Sequence, residues 1–254
     1  MTDLAGLVGH RIGYSASPAM HNAAFTALGM DARYELLDVA PDGLADAVAA
    51  LRAPGHLGAN VTQPHKLAVC DLVDERAPEV RRLGAANTIV RAGERLVVHN
   101  TDLPALVSEL AELGSFAAAV VLGAGGASRA VQAALADAGT SVQVVDRARW
   151  DALPALVSRA DLVVNATPIG TGSDESPVPA ALLRPELTVL DLVYRPSPTR
   201  LVRDARAIGA TARGGAGMLL RQAAASFTLW TGRAAPIQAM REALDAELKA
   251  TAHA

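Results

Sequence analysis

Short apolar runs of strand length alternate along the chain with stretches whose apolar residues recur at three- and four-residue spacing. That alternation predicts an α/β protein with a largely parallel sheet. In the first half it predicts strands at Leu4–Gly9, Arg33–Asp38 and Leu57–Val61, helices at Pro18–Leu28 and Leu44–Leu51, and a short helix after Pro64. Asn87–Arg91 and Arg95–His99, parted by Ala92-Gly93, read as a hairpin. A helix from Leu103 to Leu113 then leads into the strand Ala118–Leu122, a glycine-rich turn and a helix over Ser128–Ala138. Strands at Val142–Val145, Leu162–Ala166 and Thr188–Leu192 follow, then helices at Thr199–Ile208, Met218–Thr231 and Pro236–Lys249. The pattern shows no repeat and no flexible linker. The junction near Asn100–Leu103 is therefore a tight crossover, with a first domain over 1–101.

Composition narrows the possibilities. With 51% hydrophobic and 19% charged residues, 254 residues are ample for a buried core. A net charge of −3 argues against a nucleic-acid partner, which requires a basic face. The single cysteine, Cys70, excludes an internal disulfide and a cysteine-rich zinc site. The opening Met-Thr-Asp-Leu has neither the basic start nor the apolar core of a signal peptide, and no apolar run reaches membrane-spanning length, so a cytoplasmic protein with no membrane partner is expected. Of the 23 basic side chains, only Lys66 and Lys249 are lysines. Arginine stays protonated whereas lysine can exchange its proton, so a lysine in this arginine-rich chain marks a candidate acid/base position.

Val120-Val121-Leu122-Gly123-Ala124-Gly125-Gly126-Ala127-Ser128 is a strand, a glycine turn and a helix start in sequence. Gly123 permits the turn and Gly125 lets backbone approach a pyrophosphate at the helix N-terminus; the third fingerprint position is Ser128 rather than glycine. Asp146, at the end of the next strand, stands where a ribose-binding carboxylate would. The alternative is a plain βα turn.

Four polar segments fall at predicted strand ends: Tyr14-Ser15-Ala16-Ser17-Pro18, Asn60-Val61-Thr62-Gln63-Pro64-His65-Lys66, Ala86-Asn87-Thr88 and Asn100-Thr101-Asp102. Parallel sheets bind ligands at strand C-terminal ends, and these hydroxyls, amides, ammonium and carboxylate suit a small polyhydroxylated acid. Taken singly, Ser15 and Ser17 also suit caps of the first helix, and Asp102 a cap of the helix after it. No histidine pair has metal-ligand spacing, so no metal is expected, and no G-x-S-x-G nucleophile elbow occurs.

Together with Gly84-Ala85-Ala86-Asn87-Thr88, Asn165-Ala166-Thr167-Pro168, Asp191-Leu192-Val193-Tyr194 and Gly217-Met218-Leu219 running to Gln222, these segments, in this order, resemble the shikimate dehydrogenases. The resemblance covers nearly the whole chain. It implies two domains with a cleft between them: an N-terminal mixed-sheet substrate domain over 1–101, to which the last helices, 219–254, return, and a Rossmann-like dinucleotide-binding domain over 102–218. By this likeness Ser15 and Ser17 hold a substrate carboxylate, and Thr62, Lys66, Asn87, Asp102 and Gln222 surround the ring hydroxyls and the reacting carbonyl, with Tyr194 nearby. Gly123, Ala124, Gly125, Gly126 and Ala127 hold the cofactor pyrophosphate, and Leu192 and Gly215 border the nicotinamide. Lys66 is then the acid/base and Asp102 its orienting partner.

The chain departs from the family pattern at three places. Leu103-Pro104-Ala105 follows Asn-Thr-Asp where the family has a nearby glycine; Asp146-Arg147-Ala148 replaces Asn-Arg-Thr; and only Arg147 to Asp161 separates two strands, which predicts a shortened cofactor domain with Arg149-Trp150 packing in its loop. Asp146 favours NAD, whereas Arg147 and Arg149 can clamp a 2′-phosphate and favour NADP. The expectation is an NADP(H)-dependent reductase of 3-dehydroshikimate, a monomer or homodimer, with reduced discrimination against NAD. Its rivals are an NAD-preferring quinate/shikimate dehydrogenase and a non-catalytic ligand sensor.

Overall fold

The computed structural model describes residues 2–251, which form two units. One takes in the chain through Thr101 together with Leu220–Ala250; the other is Asp102–Leu219. His253 and the end of the C-terminal segment lie outside the described residues.

In the first unit the order is β1 (Asp3–Gly9), α1 (Ser17–Ala27), β2 (Ala32–Asp38), α2 (Leu44–Ala50), β3 (His56–Val61), β4 (Glu75–Arg76), α3 (Pro78–Leu83), β5 (Thr88–Ala92) and β6 (Arg95–His99). The sheet runs β2-β1-β3-β5-β6-β4. β1 is parallel to β2 and β3, and the hairpin β5–β6 joins β3 in antiparallel sense, which makes the sheet mixed. Strand alternation then separates two faces. Ala59, Val61 and Ile89 join Val48 of α2 in one apolar core, while Asn60 and Thr88 point to the opposite face. The outer edge of β2 is closed by Asn22, whose Oδ1 accepts the Tyr34 N–H at 2.8 Å and whose Nδ2 donates to the Tyr34 carbonyl at 3.1 Å. An unpaired strand edge is a liability, and a side-chain amide here stands in for a neighbouring strand.

The second unit begins with α4 (Asp102–Leu113) and continues β7 (Ala118–Leu122), α5 (Gly126–Asp137), β8 (Ser141–Val145), α6 (Leu153–Val157), β9 (Leu162–Asn165), β10 (Thr188–Asp191), α7 (Arg200–Ala207) and β11 (Ala212–Arg213). Its five strands, ordered β11-β10-β9-β7-β8, are all parallel. β9 is buried at every position, as strands covered on both faces must be. Leu103-Pro104-Ala105 forms the first turn of α4, where proline's missing N–H has no helical acceptor to lose. The stretch from Arg147 to Asp161 holds one 3₁₀ segment (Arg147–Ala152) and α6, with no additional strand, and Trp150 packs on the core around Leu153 and Val157.

α8 (Ala216–Thr231) passes from the second unit into the first at Leu220, and α9 (Ile237–Thr251) follows. In the first unit Trp230 Nε1 donates to the Ile89 carbonyl at 2.9 Å and Phe227 meets Phe25 with ring centroids 5.4 Å apart. No helix among the described residues is long and apolar enough to cross a membrane.

Two local expectations need correction. The chain after Pro64 forms turns, and its helical segment is a 3₁₀ turn at Ala68–Asp71. Ser17 does not cap α1: the N-cap is Ala16, and it is Ser15 Oγ that accepts the Ser17 N–H at 3.2 Å.

Candidate active site

In the first unit the polar segments gather at the strand ends of the mixed sheet. The β1–α1 connection carries Ser15, half-buried, and Ser17, buried as the first residue of α1. Because Ser15 Oγ acts as an acceptor for the Ser17 N–H, the Ser15 hydroxyl proton remains for another acceptor. Two hydroxyls at one helix start can both donate to a carboxylate.

After β3, the Thr62 N–H donates to the Val8 carbonyl at 2.9 Å and the Thr62 carbonyl accepts from the His65 N–H at 2.9 Å. Buried His65 is anchored by a 2.8 Å hydrogen bond between Nε2 and the Val39 carbonyl. The Lys66 carbonyl accepts the Ala86 N–H at 2.8 Å. Lys66 itself is half-buried.

Asn87 is the centre of a buried network. The Thr101 N–H donates to its Oδ1 at 2.7 Å, which fixes the amide orientation, and its Nδ2 donates to Thr101 Oγ1 at 2.9 Å and Gln222 Oε1 at 3.4 Å. Asn60 Nδ2 donates to Ser226 Oγ at 2.8 Å, while Asn60 Oδ1 accepts the Tyr34 hydroxyl at 2.9 Å. Thr88 and Ser226 hydroxyls lie 2.8 Å apart. Asn60, Asn87, Thr88, Thr101, Gln222 and Ser226 are all below 9% exposed. A fully bonded buried amide network is rigid, and it presets donors and acceptors before any ligand arrives. Ser226 was not legible as part of this set, since one serine in an apolar helical stretch carries no signal. Asp102, 2% exposed, opens α4 in the second unit.

In the second unit Gly123 ends β7 with φ of +101°, and a Cβ there would lie 3.0 Å from the Ala166 carbonyl oxygen, so the turn requires glycine. Ser128 Oγ donates to the Gly123 carbonyl at 2.6 Å, closing the turn from inside. Nothing lies within 4 Å of where a Gly125 Cβ would be, and no side chain caps α5. Open space before an uncapped helix N-terminus fits a pyrophosphate, whose oxygens could accept from the first-turn N–H groups there; Ala124, exposed, completes this turn.

The Asp146 carboxylate is turned onto its own loop, where Oδ1 accepts from the Ala148 and Arg149 N–H groups at 3.0 and 3.1 Å. Arg149, exposed, donates from Nη1 to the Val144 carbonyl at 2.9 Å. Arg147 is exposed. At the end of β10, Asp191 is buried and accepts from Asn165 Nδ2 at 2.8 Å, the Val193 N–H at 3.0 Å and Thr199 Oγ1 at 2.7 Å. Burial pushes its pKa up, against those donors. It thereby ties down both ends of the loop that carries Leu192 and half-buried Tyr194. A Cβ at Gly215 would lie 2.2 Å from the Leu192 carbonyl oxygen, so these two backbones touch. Among the described residues no group of three or more His, Cys, Asp or Glu could hold a metal ion.

A mixed-sheet unit with a polar strand-end network and a parallel unit with a glycine turn before a helix N-terminus define a chain of two units, the second of dinucleotide-binding type. Residues 7–89 match the shikimate dehydrogenase substrate binding domain, and 215–244 the shikimate 5′-dehydrogenase C-terminal domain. A shikimate dehydrogenase (NADP(+)) of Symbiobacterium thermophilum is 42% identical over 97% of this chain and 95% of its own length. The crystal structure of shikimate 5-dehydrogenase from Thermus thermophilus in complex with NADP(H) and shikimate has a TM-score of 0.87 at 37% identity, covering 97% of this chain and 100% of that one. Quinate dehydrogenase from Corynebacterium glutamicum in complex with NAD has a TM-score of 0.85 at 29% identity, covering 96% and 99%. The chain belongs to the shikimate dehydrogenase family.

Proposed function

We propose that this protein catalyses the reversible NADPH-dependent reduction of the ring ketone of 3-dehydroshikimate to shikimate. The observation that carries this reading is the family likeness over 97% of the chain, which holds through both units. NADPH, when bound, supplies the hydride. Gly123 to Ala127 hold its pyrophosphate, and Leu192 and Gly215 border its nicotinamide. Ser15 and Ser17 donate to the substrate carboxylate. Thr62, Asn87 and Gln222 orient the ring hydroxyls, with Tyr194 beside them. Lys66 delivers a proton to the carbonyl oxygen as alkoxide character develops there, and Asp102 is its orienting partner. An orienting platform of this kind places donor and acceptor atoms before reaction, which lowers the entropic part of the barrier.

Ser15→Ala and Ser17→Ala are expected to raise KM for shikimate, each hydroxyl being worth roughly 1.5–3 kcal/mol against a carboxylate, while KM for NADP⁺ stays put. Only Ser15→Ala is expected to lower Tm as well, because Ser15 alone makes the turn hydrogen bond. Normal shikimate KM in both variants would remove them from the substrate site.

With Asp146 turned onto its own loop and Arg149 donating to the carbonyl of Val144 in β8, exposed Arg147 is the guanidinium assigned to the 2′-phosphate of NADP. A paired guanidinium–phosphate contact supports NADP over NAD. Arg147→Ala is expected to lower the NADP⁺/NAD⁺ ratio of kcat/KM by about tenfold or more. Progress curves at 340 nm with each cofactor, run with shikimate and with quinate, test the reading. A parent enzyme that prefers NAD⁺, or prefers quinate, contradicts it.

A further inference from the structure

One buried carboxylate of the second unit has no part in the chemistry above. Glu109, on α4, is 1% exposed. Its Oε2 accepts from Arg213 Nη1 at 3.1 Å, and the same nitrogen donates to Glu112 at 2.8 Å. Glu109 and Glu112, three residues apart, share one helix face and would repel each other without this guanidinium. Burying a carboxylate is unfavourable unless it is paired, so the pair is a constraint on where Arg213 can sit.

Arg213 ends β11 and opens the segment Gly214-Gly215-Ala216-Gly217-Met218. Two of its glycines are pressed from different sides. A Cβ at Gly217 would lie 2.6 Å from Glu109 Oε1, and one at Gly215 would lie 2.2 Å from the Leu192 carbonyl oxygen. The Gly215 N–H also donates to the Val193 carbonyl at 3.1 Å. The segment is thus clamped between the Leu192–Val193 backbone and the Glu109 carboxylate, with Arg213 locking that carboxylate in place.

We propose that Glu109 is a positioning residue, acting with Arg213 to hold the Gly214–Met218 segment at the height the nicotinamide ring requires. This rests on the reading of Leu192 and Gly215 as nicotinamide neighbours. Neither Glu109 nor Arg213 touches substrate in this proposal; both act through the backbone they hold. The consequence is specific to the cofactor. A small displacement of the surface bordering the ring changes hydride-transfer geometry, whereas the first unit's substrate contacts are left as they are.

The test uses the full-length protein and three variants, Glu109→Gln, Arg213→Gln and the double variant. Direct titration with NADP⁺, read by tryptophan fluorescence, is combined with steady-state kinetics well below each variant's Tm. The expected result is a fall in kcat/KM for NADP⁺ of about tenfold or more in each single variant, with shikimate KM moving by less than about twofold. The double variant should be no worse than the poorer single one, because both substitutions break one clamp. Lowered Tm with unchanged NADP⁺ titration and kinetics would make the pair purely structural and overturn the proposal. Should Glu109→Gln fail to fold, half-exposed Arg213→Gln alone decides the matter by the same readouts. If the parent itself fails to bind NADP⁺, the proposed function falls as well; if the parent binds and turns over while the variants match it, only this inference falls.

Discussion

Replacing Lys66 with methionine is expected to cut turnover about 10²- to 10⁴-fold, the usual worth of one acid/base group, with a much smaller change in KM for shikimate. Methionine keeps the length and apolar stem of the side chain and removes only the proton-bearing group. The turn has supports of its own: the Lys66 carbonyl accepts from Ala86 and the neighbouring His65 is held by the Val39 carbonyl. Initial rates against shikimate at saturating NADP⁺ separate the two parameters. A variant with near-parental kcat and a raised KM would make Lys66 a binding group and shift the proton donor elsewhere.

Acid is expected to destabilise the first unit through His21. The imidazole is wholly buried on α1, stacked on Tyr34 with ring centroids 4.3 Å apart, and neither ring nitrogen has a hydrogen-bond partner. The Asn60 amide gives its groups to Tyr34, Thr88 and Ser226. Burial pushes the His21 pKa down from 6.5 to about 3. Between those values the unfolded chain holds a proton that the folded chain refuses. The stability His21 permits is therefore fully present above pH 6.5 and declines as pH falls toward 3, with a slope approaching about 1.4 kcal/mol per pH unit. His21→Phe preserves the stack without a titratable group. Urea midpoints compared at pH 7.5 and pH 5 should show a shallower loss in the variant and no deficit at the higher pH. Equal acid sensitivity in parent and variant would show that His21 is not the buried neutral group described.

The long elements were readable because each carries several periods of its pattern. β7 spans Ala118–Leu122 with no displacement at either end, and α8 and α9 begin and end within two residues of expectation. What escaped was short. β4 and β11 are two residues each, too few for any alternation to register, and α3 is six residues, less than two turns. The candidate site was legible at the level of residue types. Its connections were not, because they depend on tertiary register: Asn60 lies opposite Thr88 across β3 and β5, and Ser226 reaches them from 166 residues beyond Asn60 and 138 beyond Thr88. The cofactor loop shows the same limit. Asp146 and Arg149 look equally available in the sequence, and only the fold reveals that one caps the turn and the other grips the strand before it. Glu109 gave no sign at all, since a glutamate in an amphipathic helix ordinarily faces water.

The most direct test of the central claim is to mix the purified protein with shikimate and NADP⁺ and follow absorbance at 340 nm while identifying the organic product. One NADPH is expected for each 3-dehydroshikimate produced, with Lys66→Met strongly impaired in the same assay. A protein that binds shikimate or NADP⁺ yet forms neither product would contradict that claim, and would point to ligand sensing in place of catalysis.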